Sequence, residues 1–507
     1  MSLMGIDIGT TGCKAGAFSV NGACLGMAYR EYTNTQTAAS RAELDSEEVF
    51  SKVKAVVAEV AGAAQDNPVN ALCVSTMGEA MVPVSQDRRI LGNSILSSDL
   101  RGGEYAQQLE AEFGQRAFYE INPNIIGCNY AMPKLMWLRD HQPEEYDSAW
   151  KYLFWGDFIG FMFGGEPVAS YAHANRSLLF DIRAEDWSDR LLAWSGIARA
   201  KLPAVAPSGT VKGHVSSAVA DELGLAKNAA IVAGAHDQCC NSFGGGAYQP
   251  GRAVCGIGTF ECVTPSYGGI PATDDMLALN LNVEHQVLPG IYVSFIYNQS
   301  GVLVKWYRDT FAQTDRGLAG PGQDIYDLLM AEVPEAPTNL LVLPHFEMTG
   351  APHFISDSAG VIAGLATTTT RGDILKAILE GTTYYFLESI EGLRRLGCDF
   401  SSMVATGGGA KSDVWLQLKA DILGVPLVRP RFTECGVLGA AMLAGLATGQ
   451  LDSPESAVER FVRPVAEFTP DTGRHAAYQE RFARYRRLYP AMKPLLSELH
   501  RAEAATE

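Results

Sequence analysis

The opening segment of the chain alternates apolar and polar positions, breaks at a glycine-rich turn, and then resumes the alternation. Apolar residues recur up to Ile8, Gly9 to Gly12 form the break, and Lys14 to Phe18 continue the pattern, which predicts two strands joined by a tight turn. Residues 47–64 change to a helical period. The valines of the predicted buried face are Val49, Val53, Val56, Val57 and Val60. Residues 72–75 are a short apolar run typical of a strand, so the order strand, helix, strand favours an α/β fold with a parallel or mixed sheet.

The pattern at the start of the chain returns near its middle. The segments GIDIGTTGCKAG at 5–16 and VCGIGTFECVTP at 254–265 share Ile-Gly-Thr, followed after two residues by cysteine. A match this short also arises by chance, but its position near mid-chain favours a duplication. Glycines and a proline interrupt the periodicity at 244–252, where an ordinary turn is the alternative to a hinge. We therefore expect two lobes, 1–246 and 247–507, with a ligand between them.

Two apolar segments and one aromatic stripe are interpreted as core. The segments 152–165 and 436–449 are shorter than the roughly 18 residues that a membrane span needs. Near the C-terminus, aromatic residues recur at spacings of four, three and four. They are Tyr478, Phe482, Tyr485 and Tyr489. This spacing predicts one face of a single helix packed on the body of the protein, without a chemical role.

Composition and charge exclude some classes of partner and compartment. The 507 residues carry a net charge of −17, which argues against nucleic acid or an anionic membrane as the main partner, because such partners are held by clustered Lys and Arg. The ten cysteines contain no CxxC pair, and Asp7 and Lys14 interrupt the apolar stretch that a signal peptide needs. We expect a cytoplasmic protein with reduced thiols that acts on a small polar molecule. A homodimer is left open.

The first glycine-rich turn has the chemistry of a phosphate site. Thr10 and Thr11 supply hydroxyl donors, and Gly12 leaves backbone N–H groups accessible to phosphate oxygens. Asp7 precedes the turn, where it could hold a Mg²⁺ shell through water, and Lys14 follows it. Neither GxxxxGK[ST] nor GxGxxG after a strand is present, which disfavours P-loop and Rossmann folds. A plain β-hairpin turn without function is the alternative.

Two further glycine turns occur in the second half. Gly258 and Thr259 form a turn like the first. Residues 407–410 follow the apolar run 403–405 and precede a helix that bears Trp415, so a flat base could lie against their backbone. Trp415 itself is interpreted as core.

Asp237 and Gln238 follow the apolar strand 230–233 and are expected in a loop just before the hinge. A carboxylate at a strand end between two lobes can accept the proton of a substrate hydroxyl as that hydroxyl attacks phosphorus. A helix-capping or turn aspartate is the alternative from these residues alone. His236 and the cysteines at 239 and 240 are interpreted as structural.

With these residues in view, the chain is identified as a member of the FGGY carbohydrate kinase family, which includes xylulokinase, glycerol kinase and gluconate kinase. The resemblance runs from Met4 to about Leu495. Its most specific segment is GVIAGLATTTTRGDILKAILE at 360–380, which resembles the family's C-terminal signature. AMPKLMWLRDH at 131–141 resembles the N-terminal signature, and GGGAKSDVWLQLKADILGVPL at 407–427 resembles the adenosine segment.

The resemblance implies an α/β fold of two RNase H-like lobes, of the actin and hexokinase type, around a central cleft that binds ATP and Mg²⁺. It implies Asp237 as the catalytic base, which reverses the preference for a capping role, and Asp7 as the Mg²⁺-associated carboxylate. The residues implied in nucleotide binding are Thr10, Thr11, Gly12, Lys14, Gly258, Thr259, Gly408, Gly409 and Ser412.

The predicted sugar pocket departs from the better-known members. Xylulokinase-like chains have Met-His-Gly where this chain has Met77-Gly78-Glu79, and Asp99 and Arg101 remain from a stretch that has lost its aromatic residue. We expect these residues, with Gln238, to hold substrate hydroxyls. The resemblance favours a ketopentose such as xylulose. A polyol kinase of the glycerol or erythritol type and a non-catalytic, actin-like nucleotide sensor are the alternatives.

Overall fold

A computed structural model describes residues 1–38, 41–317 and 324–504 of the chain. The strands before residue 247 are β1 (Ser2–Ile8), β2 (Gly12–Ser19), β3 (Cys24–Glu31), β4 (Thr35–Ala38), β5 (Arg41–Leu44), β6 (Val69–Thr76), β7 (Met81–Val84), β8 (Ser94–Ile95), β9 (Lys151–Phe154), β10 (Val168–Ser170), β11 (Phe180–Asp181), β12 (Asp186–Trp187), β13 (Ala204–Ala206), β14 (Val211–His214) and β15 (Ala230–His236). The helices of this part are α1 (Ser46–Ala63), α2 (Gly103–Phe113), α3 (Gln115–Tyr119), α4 (Ala131–His141), α5 (Pro143–Ser148), α6 (Trp155–Phe163), α7 (Tyr171–Ala174), α8 (Asp189–Ser195), α9 (Ser217–Leu223) and α10 (Asp237–Gly244).

The strands after residue 247 are β16 (Arg252–Ile257), β17 (Phe260–Gly268), β18 (Glu284–His285), β19 (Ile291–Val293), β20 (Ile296–Gln299), β21 (Leu341–Leu343), β22 (Val361–Ala363), β23 (Ser402–Thr406), β24 (Leu427–Pro430) and β25 (Pro464–Phe468). The helices are α11 (Thr273–Ala278), α12 (Gly301–Phe311), α13 (Ile325–Ala331), α14 (Arg371–Arg395), α15 (Asp413–Leu423), α16 (Cys435–Ala447), α17 (Pro454–Phe461), α18 (Thr472–Tyr485) and α19 (Leu488–Ala504).

The two halves are built around sheets of the same plan. The first sheet has the strand order β14-β15-β6-β1-β2-β3, and the second has β18-β19-β17-β16-β23-β24-β25. In the first, β1 pairs antiparallel with β2 and parallel with β6, and β6 pairs parallel with β15. In the second, β16 pairs antiparallel with β17 and parallel with β23, and β23 pairs parallel with β24. The duplication expected from the repeated turn is therefore confirmed, with an α/β fold of two related lobes.

Helix α1 illustrates how the sequence determines an element. Its predicted valines are buried, and the helix packs against β2 and β3. Asp45 caps the helix, since its Oδ1 accepts a hydrogen bond from the Glu48 N–H at 2.9 Å, an interaction worth about 1 kcal/mol. Glu47 and Glu48 lie in the first turn, where negative charge interacts favourably with the helix dipole.

Helices α10 and α16 cross in close contact between the two sheets. A Cβ at Gly244 would lie closer than 3.0 Å to the Cys435 carbonyl oxygen, and one at Gly439 would lie as close to that of Cys240. Helix α16 also lies on β1, where a Cβ at Gly5 would meet the backbone of α16. The predicted division at 246/247 falls between α10 and β16, yet α16, from the second half of the sequence, covers the first sheet.

The predicted aromatic stripe is divided between two helices. Tyr478, Phe482 and Tyr485 are buried in α18 and surround Tyr384, with ring centroids 5.3–6.4 Å from it. Tyr489 lies in α19 and packs on a different residue, so the prediction of one continuous helix is wrong. The proline at 490 explains the break, because it has no N–H to donate to the preceding turn.

The predicted core segments are buried. Residues 152–165 form the end of β9 and α6, and residues 436–449 contain most of α16. None of the helices within the described ranges is long and apolar enough to cross a membrane. All ten cysteines are free thiols.

Candidate active site

Asp237 is the first residue of α10, not part of a loop as predicted. Strand β15 continues past the apolar run to His236, and the helix begins at once. The reason is a local cap, in which His236 Nδ1 accepts a hydrogen bond from the Gln238 N–H at 3.2 Å. The positive end of the helix dipole also favours a carboxylate in the first turn. Asp237 is thus fixed at the carboxyl end of a parallel strand, where open α/β sheets bind their ligands.

Asp7 lies near the carboxyl end of β1, which β6 separates from β15 in the same sheet, and opposite Lys14 of β2. The Ser75 hydroxyl donates a hydrogen bond to Asp7 Oδ1 at 2.7 Å. Burial and then the negative charge of Asp237 raise the pKa of Asp7 to about 6, although the Ser75 hydrogen bond and Lys14 oppose them. The two carboxylates therefore lie close enough for their charges to interact. Lys14 itself forms an ion pair with Glu434, the residue before α16.

The first phosphate turn is exposed at its tip. Thr10 and Thr11 are exposed, while the Gly9 N–H donates to the Gly12 carbonyl at 3.0 Å and closes the turn. A Cβ at Gly12 would lie closer than 3.0 Å to the ring of Tyr29. The turn is therefore held tightly by its base, and its two hydroxyls remain free to meet a ligand.

The second phosphate turn has the same form. Gly258 and Thr259 are exposed, and the Gly258 N–H donates to the Phe260 carbonyl at 3.0 Å. Their own carbonyls accept hydrogen bonds from the first N–H groups of α12, those of Gly301 and Val302, both at 3.1 Å. Helix α12 thus fixes this turn in place.

The predicted adenosine segment contacts the second phosphate turn directly. Gly407 has a φ of +81°, and a Cβ on it would collide with the Ile257 carbonyl oxygen. A Cβ at Gly409 would also collide with Ile257, whereas one at Gly408 would meet nothing within 4 Å. The backbone at Gly408 is therefore open on the side where a side chain would stand.

The helix after this segment begins with a regular cap. Ser412 Oγ accepts a hydrogen bond from the Trp415 N–H at 3.3 Å. The predicted core position of Trp415 is confirmed, since its side chain is buried. Its indole N–H has no hydrogen-bond partner within the described residues.

The predicted pocket residue Glu79 is paired with a cation that the sequence reasoning missed. The Arg176 Nε donates a hydrogen bond to Glu79 Oε1 at 2.9 Å. The same guanidinium forms a second ion pair with Glu284 Oε1 at 3.0 Å. The guanidinium also lies over the rings of Tyr130 and Phe295, with 4.8 and 5.6 Å to the centroids. The available signal was an arginine just before the apolar residues Leu178, Leu179 and Phe180, because an arginine is rarely buried unless it is paired.

Two other predicted pocket residues are held inside the protein. The Asp99 carboxylate accepts hydrogen bonds from the backbone N–H of Ala42 and from the guanidinium of Arg101, and Asp99 has no exposed surface. Arg101 is also paired with Glu43. The Lys134 ammonium group donates hydrogen bonds to the backbone carbonyls of Asp99 and Arg101. This burial is at odds with the expectation that Asp99 itself holds a substrate hydroxyl, because its carboxylate is occupied in positioning Arg101.

The remaining pocket residues lie beside the base. Met77 is buried, and its N–H donates to the Ile8 carbonyl at 3.2 Å. Gly78 packs under the side chains of His236 and Arg176. The side-chain oxygen of Gln238 is buried and accepts no hydrogen bond from any described residue. That oxygen can take a donor such as a sugar hydroxyl.

Comparisons with known proteins identify relatives along most of the chain. The model of the FGGY family of carbohydrate kinases, N-terminal domain, matches residues 2–244, and that of the C-terminal domain matches residues 270–448. The chain is 28% identical to a xylulose kinase of Bacillus subtilis (strain 168), over 98% of both chains. It is 29% identical to a glycerol kinase of Stenotrophomonas maltophilia (strain R551-3), over 95% of this chain and 97% of that one.

A solved structure gives the same result. The crystal structure of xylulose kinase from Rhodospirillum rubrum superposes with a TM-score of 0.87 at 25% identity, covering 98% of this chain and all of that one. Because the two family models together match well over half of the chain, the chain belongs to the FGGY family of carbohydrate kinases.

Proposed function

We propose that the protein transfers the γ-phosphoryl group of MgATP to a hydroxyl of a small neutral sugar, with a ketopentose such as xylulose as the favoured substrate. The observation that carries the proposal is the position of Asp237, with its side chain 34% exposed, at the start of α10 and at the edge shared with Asp7. As the sugar hydroxyl attacks phosphorus, its O–H bond breaks and Asp237 accepts the proton. The bond between the γ-phosphorus and the bridging oxygen breaks, and its electrons leave with ADP.

The nucleotide would lie along the three glycine turns. Thr10, Thr11, Gly258 and Thr259 surround the phosphates in this arrangement, with Gly12 and Lys14 beside the first turn. Gly408, Gly409 and Ser412 face the adenosine. Closure of the two lobes around the substrates would exclude water from the transfer.

The residues present fit a magnesium ion associated with Asp7. No group of three or more His, Cys, Asp or Glu side chains within the described residues is arranged to hold a metal on its own, but Mg²⁺ usually takes one or two carboxylates together with water and substrate phosphates. Asp7 carries its raised pKa because burial and the charge of Asp237 disfavour its anion, and a cation would relieve both effects. When bound, Mg²⁺ neutralises charge on the phosphate oxygens.

The charge of the pocket supports a neutral substrate. Arg176 is matched by the carboxylates of both Glu79 and Glu284, and Asp237 adds a further negative charge. A sugar acid such as gluconate would therefore bring its carboxylate to a site of net negative charge, without an unpaired arginine to receive it. The hydroxyls of a neutral sugar can instead donate to Glu79 and to the free oxygen of Gln238.

The experiment that tests the proposal measures ADP release with MgATP across a panel of pentuloses, hexuloses, aldonates and polyols. We expect turnover on a neutral pentulose, no turnover on aldonates, and a loss on the order of 10²- to 10⁴-fold in Asp237→Ala. Turnover confined to a polyol would favour the glycerol-type alternative. ATP hydrolysis that no sugar stimulates would favour a nucleotide sensor, and an Asp237→Ala variant with normal turnover would disprove the role of Asp237.

A further inference from the structure

A buried ion pair lies next to the second phosphate turn. Glu261 is the strand residue that closes this turn, since it pairs across the hairpin with Ile257. Its Oε1 is 2.6 Å from Lys419 Nζ, and the two side chains are 1% and 0% exposed. Both side chains are therefore shielded from solvent, and neither is among the proposed nucleotide-binding residues.

The carboxylate of Glu261 connects the turn to helix α12. Its Oε2 accepts a hydrogen bond from the Ser300 hydroxyl at 2.8 Å. The N–H of Ser300 in turn donates to the Thr259 carbonyl at 3.3 Å. Ser300 thus binds the turn with its backbone and Glu261 with its side chain, so the start of α12 and the turn are both fixed by the position of this carboxylate.

The ammonium group of Lys419 connects the pair to the adenosine segment. Lys419 lies one turn after Trp415 on α15, and its Nζ lies over the Trp415 ring, 5.8 Å from the centroid. This contact is attractive because the face of an aromatic ring carries negative partial charge. A Cβ at Gly409 would lie closer than 3.0 Å to the same ring. The segment expected to hold the base therefore rests on a ring that the Lys419 cation contacts.

The pair has further hydrogen bonds inside the protein. The Cys255 thiol of β16 donates to Glu261 Oε1 at 3.1 Å, and Lys419 Nζ donates to the Thr383 hydroxyl of α14 at 3.3 Å. Replacing a buried ion pair by apolar residues of similar volume is often neutral or stabilising, because removing two charges from water is itself unfavourable. Stability therefore does not explain this pair. Hydrogen-bonded charges instead fix the distance and direction between the elements that carry them.

We propose that Glu261 and Lys419 are positioning residues for the nucleotide, and that their ion pair fixes the second phosphate turn relative to the adenosine segment. The inference rests on the proposed function, in which ATP spans these two segments. With the pair in place, the sites for the phosphates and for the base have the spacing of one nucleotide before it binds. Less conformational freedom is then lost on binding, so the affinity for the nucleotide is higher.

Removing both charges together separates positioning from stability. Glu261→Gln or Lys419→Met alone leaves one buried charge without its partner, and we expect each to lower Tm by several degrees. The double variant Glu261→Gln/Lys419→Met has no unpaired charge, so its Tm should return close to the wild-type value. Its glutamine can still accept the hydrogen bond of Ser300 but no longer pairs with a cation on α15. The turn and the adenosine segment then lose their common restraint.

Another buried ion pair provides the matched control. Lys212 Nζ of β14 lies 3.6 Å from Asp157 Oδ1 of α6, and these side chains are also buried. Strand β14 is at the edge of the first sheet, whereas the second phosphate turn belongs to the second. We expect Asp157→Asn/Lys212→Met to bind MgADP as the wild type does. An equal loss of affinity in this control would overturn the inference, because loss of any buried pair would then have the same effect.

The test measures the dissociation constant of MgADP by isothermal titration calorimetry on the full chain. We expect it to rise at least about tenfold in Glu261→Gln/Lys419→Met. In steady-state kinetics the same variant should raise the KM for ATP and leave the KM for the sugar unchanged. Equal affinity of this variant and the wild type for MgADP would overturn the inference.

A milder variant tests the same connection without removing a charge. Ser300→Ala deletes one hydrogen bond to the carboxylate and keeps the backbone N–H, and we expect at least about a twofold loss of MgADP affinity. An unchanged affinity would also overturn the inference. Because MgADP binding needs no sugar, a wild type that binds MgADP but phosphorylates no sugar would contradict only the proposed function. A wild type that does not bind MgADP would overturn both.

Discussion

Gly408 and Gly409 are neighbours in the sequence, but the protein itself constrains only one of them. A Cβ at Gly409 would collide with Ile257, whereas a Cβ at Gly408 would meet nothing within 4 Å. Neither residue has a positive φ, so backbone strain explains neither glycine. The open space over Gly408 is what the proposed adenosine site needs, since a base can lie flat only on a backbone without side chains.

The comparison of these two glycines gives a test of the adenosine site. We expect Gly408→Val to raise the KM for ATP by about tenfold, equivalent to about 1.4 kcal/mol of binding, while Tm stays within the small range of surface substitutions. Gly409→Ala should instead lower Tm, because crowding in a packed region costs about 1–3 kcal/mol. Steady-state kinetics and thermal melts of both variants provide the measurement. An unchanged KM in Gly408→Val would place the adenosine elsewhere.

At the same scale, the sequence could indicate the residues of a turn but not the partners that meet across the fold. The glycines and threonines of each turn are adjacent, so their spacing was sufficient to predict them. The Arg176–Glu284 ion pair joins residues 108 positions apart, and local periodicity has no information about such a contact. The hydrogen bond to Asp99 was missed for a similar reason, because its partner Ala42 lies 57 positions away on β5.

The close crossing of α10 and α16 connects packing to the site at the scale of elements. Helix α10 begins with Asp237, and its last residue, Gly244, touches α16. The two helices can approach this closely only because glycine stands at the contact on each of them. A shift of α16 would therefore be transmitted to the base.

This crossing predicts a defined effect for one methyl group. We expect Gly439→Ala to lower stability by about 1–3 kcal/mol and to reduce kcat, because α10 must move away from the Cys240 carbonyl and carries Asp237 with it. Gly62→Ala in α1 is the control, since a Cβ there meets nothing within 4 Å, and it should raise stability by about 0.5–1 kcal/mol. Calorimetry with kinetics checks both. A Gly439→Ala variant with the stability and the kcat of the wild type would contradict the contact.

The elements themselves were predicted to different degrees. Helix α1 followed from its valine period, because a surface helix is amphipathic along its whole length. The start of α10 was missed, since a histidine side chain rather than Ser, Thr or Asp caps it. The pairing of strands into two similar sheets was only suggested by the short repeat, and the family resemblance was needed to expect the whole fold.

At the scale of the whole molecule, buried acids set part of the dependence of stability on pH. Glu380 of α14 is buried, and burial raises its pKa to about 7, although hydrogen bonds from Thr338 and the charge of Lys376 oppose the shift. In the unfolded chain the same group titrates near its ordinary value. Between these two pKa values the folded state binds more protons, so this group makes the protein less stable as pH rises.

We therefore expect Glu380→Gln to match the wild type in stability below about pH 4.5 and to exceed it increasingly up to about pH 7, by at most about 3 kcal/mol. A glutamine can keep both contacts with Thr338, whose N–H lies 3.1 Å from Glu380 Oε1. Glu388→Gln on the same helix removes the same charge. Because the ion-pair partner His353 lowers the pKa of Glu388, that variant should be slightly less stable near neutral pH. Thermal melts of both variants and the wild type across pH 4–8 check these expectations. A gain in stability for Glu380→Gln that is the same at every pH would contradict the raised pKa of Glu380.

The position of α16 has a consequence for the synthesis of the protein. The last strand of the first sheet ends at residue 236 and α10 ends at residue 244, but the helix that covers this sheet ends at residue 447. The ribosome must add roughly 200 residues in between, which at about 5–20 residues per second takes about 10–40 s. For that time the newborn N-terminal half has one apolar face uncovered, and it depends on chaperones or on the emerging chain for protection until its own last helix arrives.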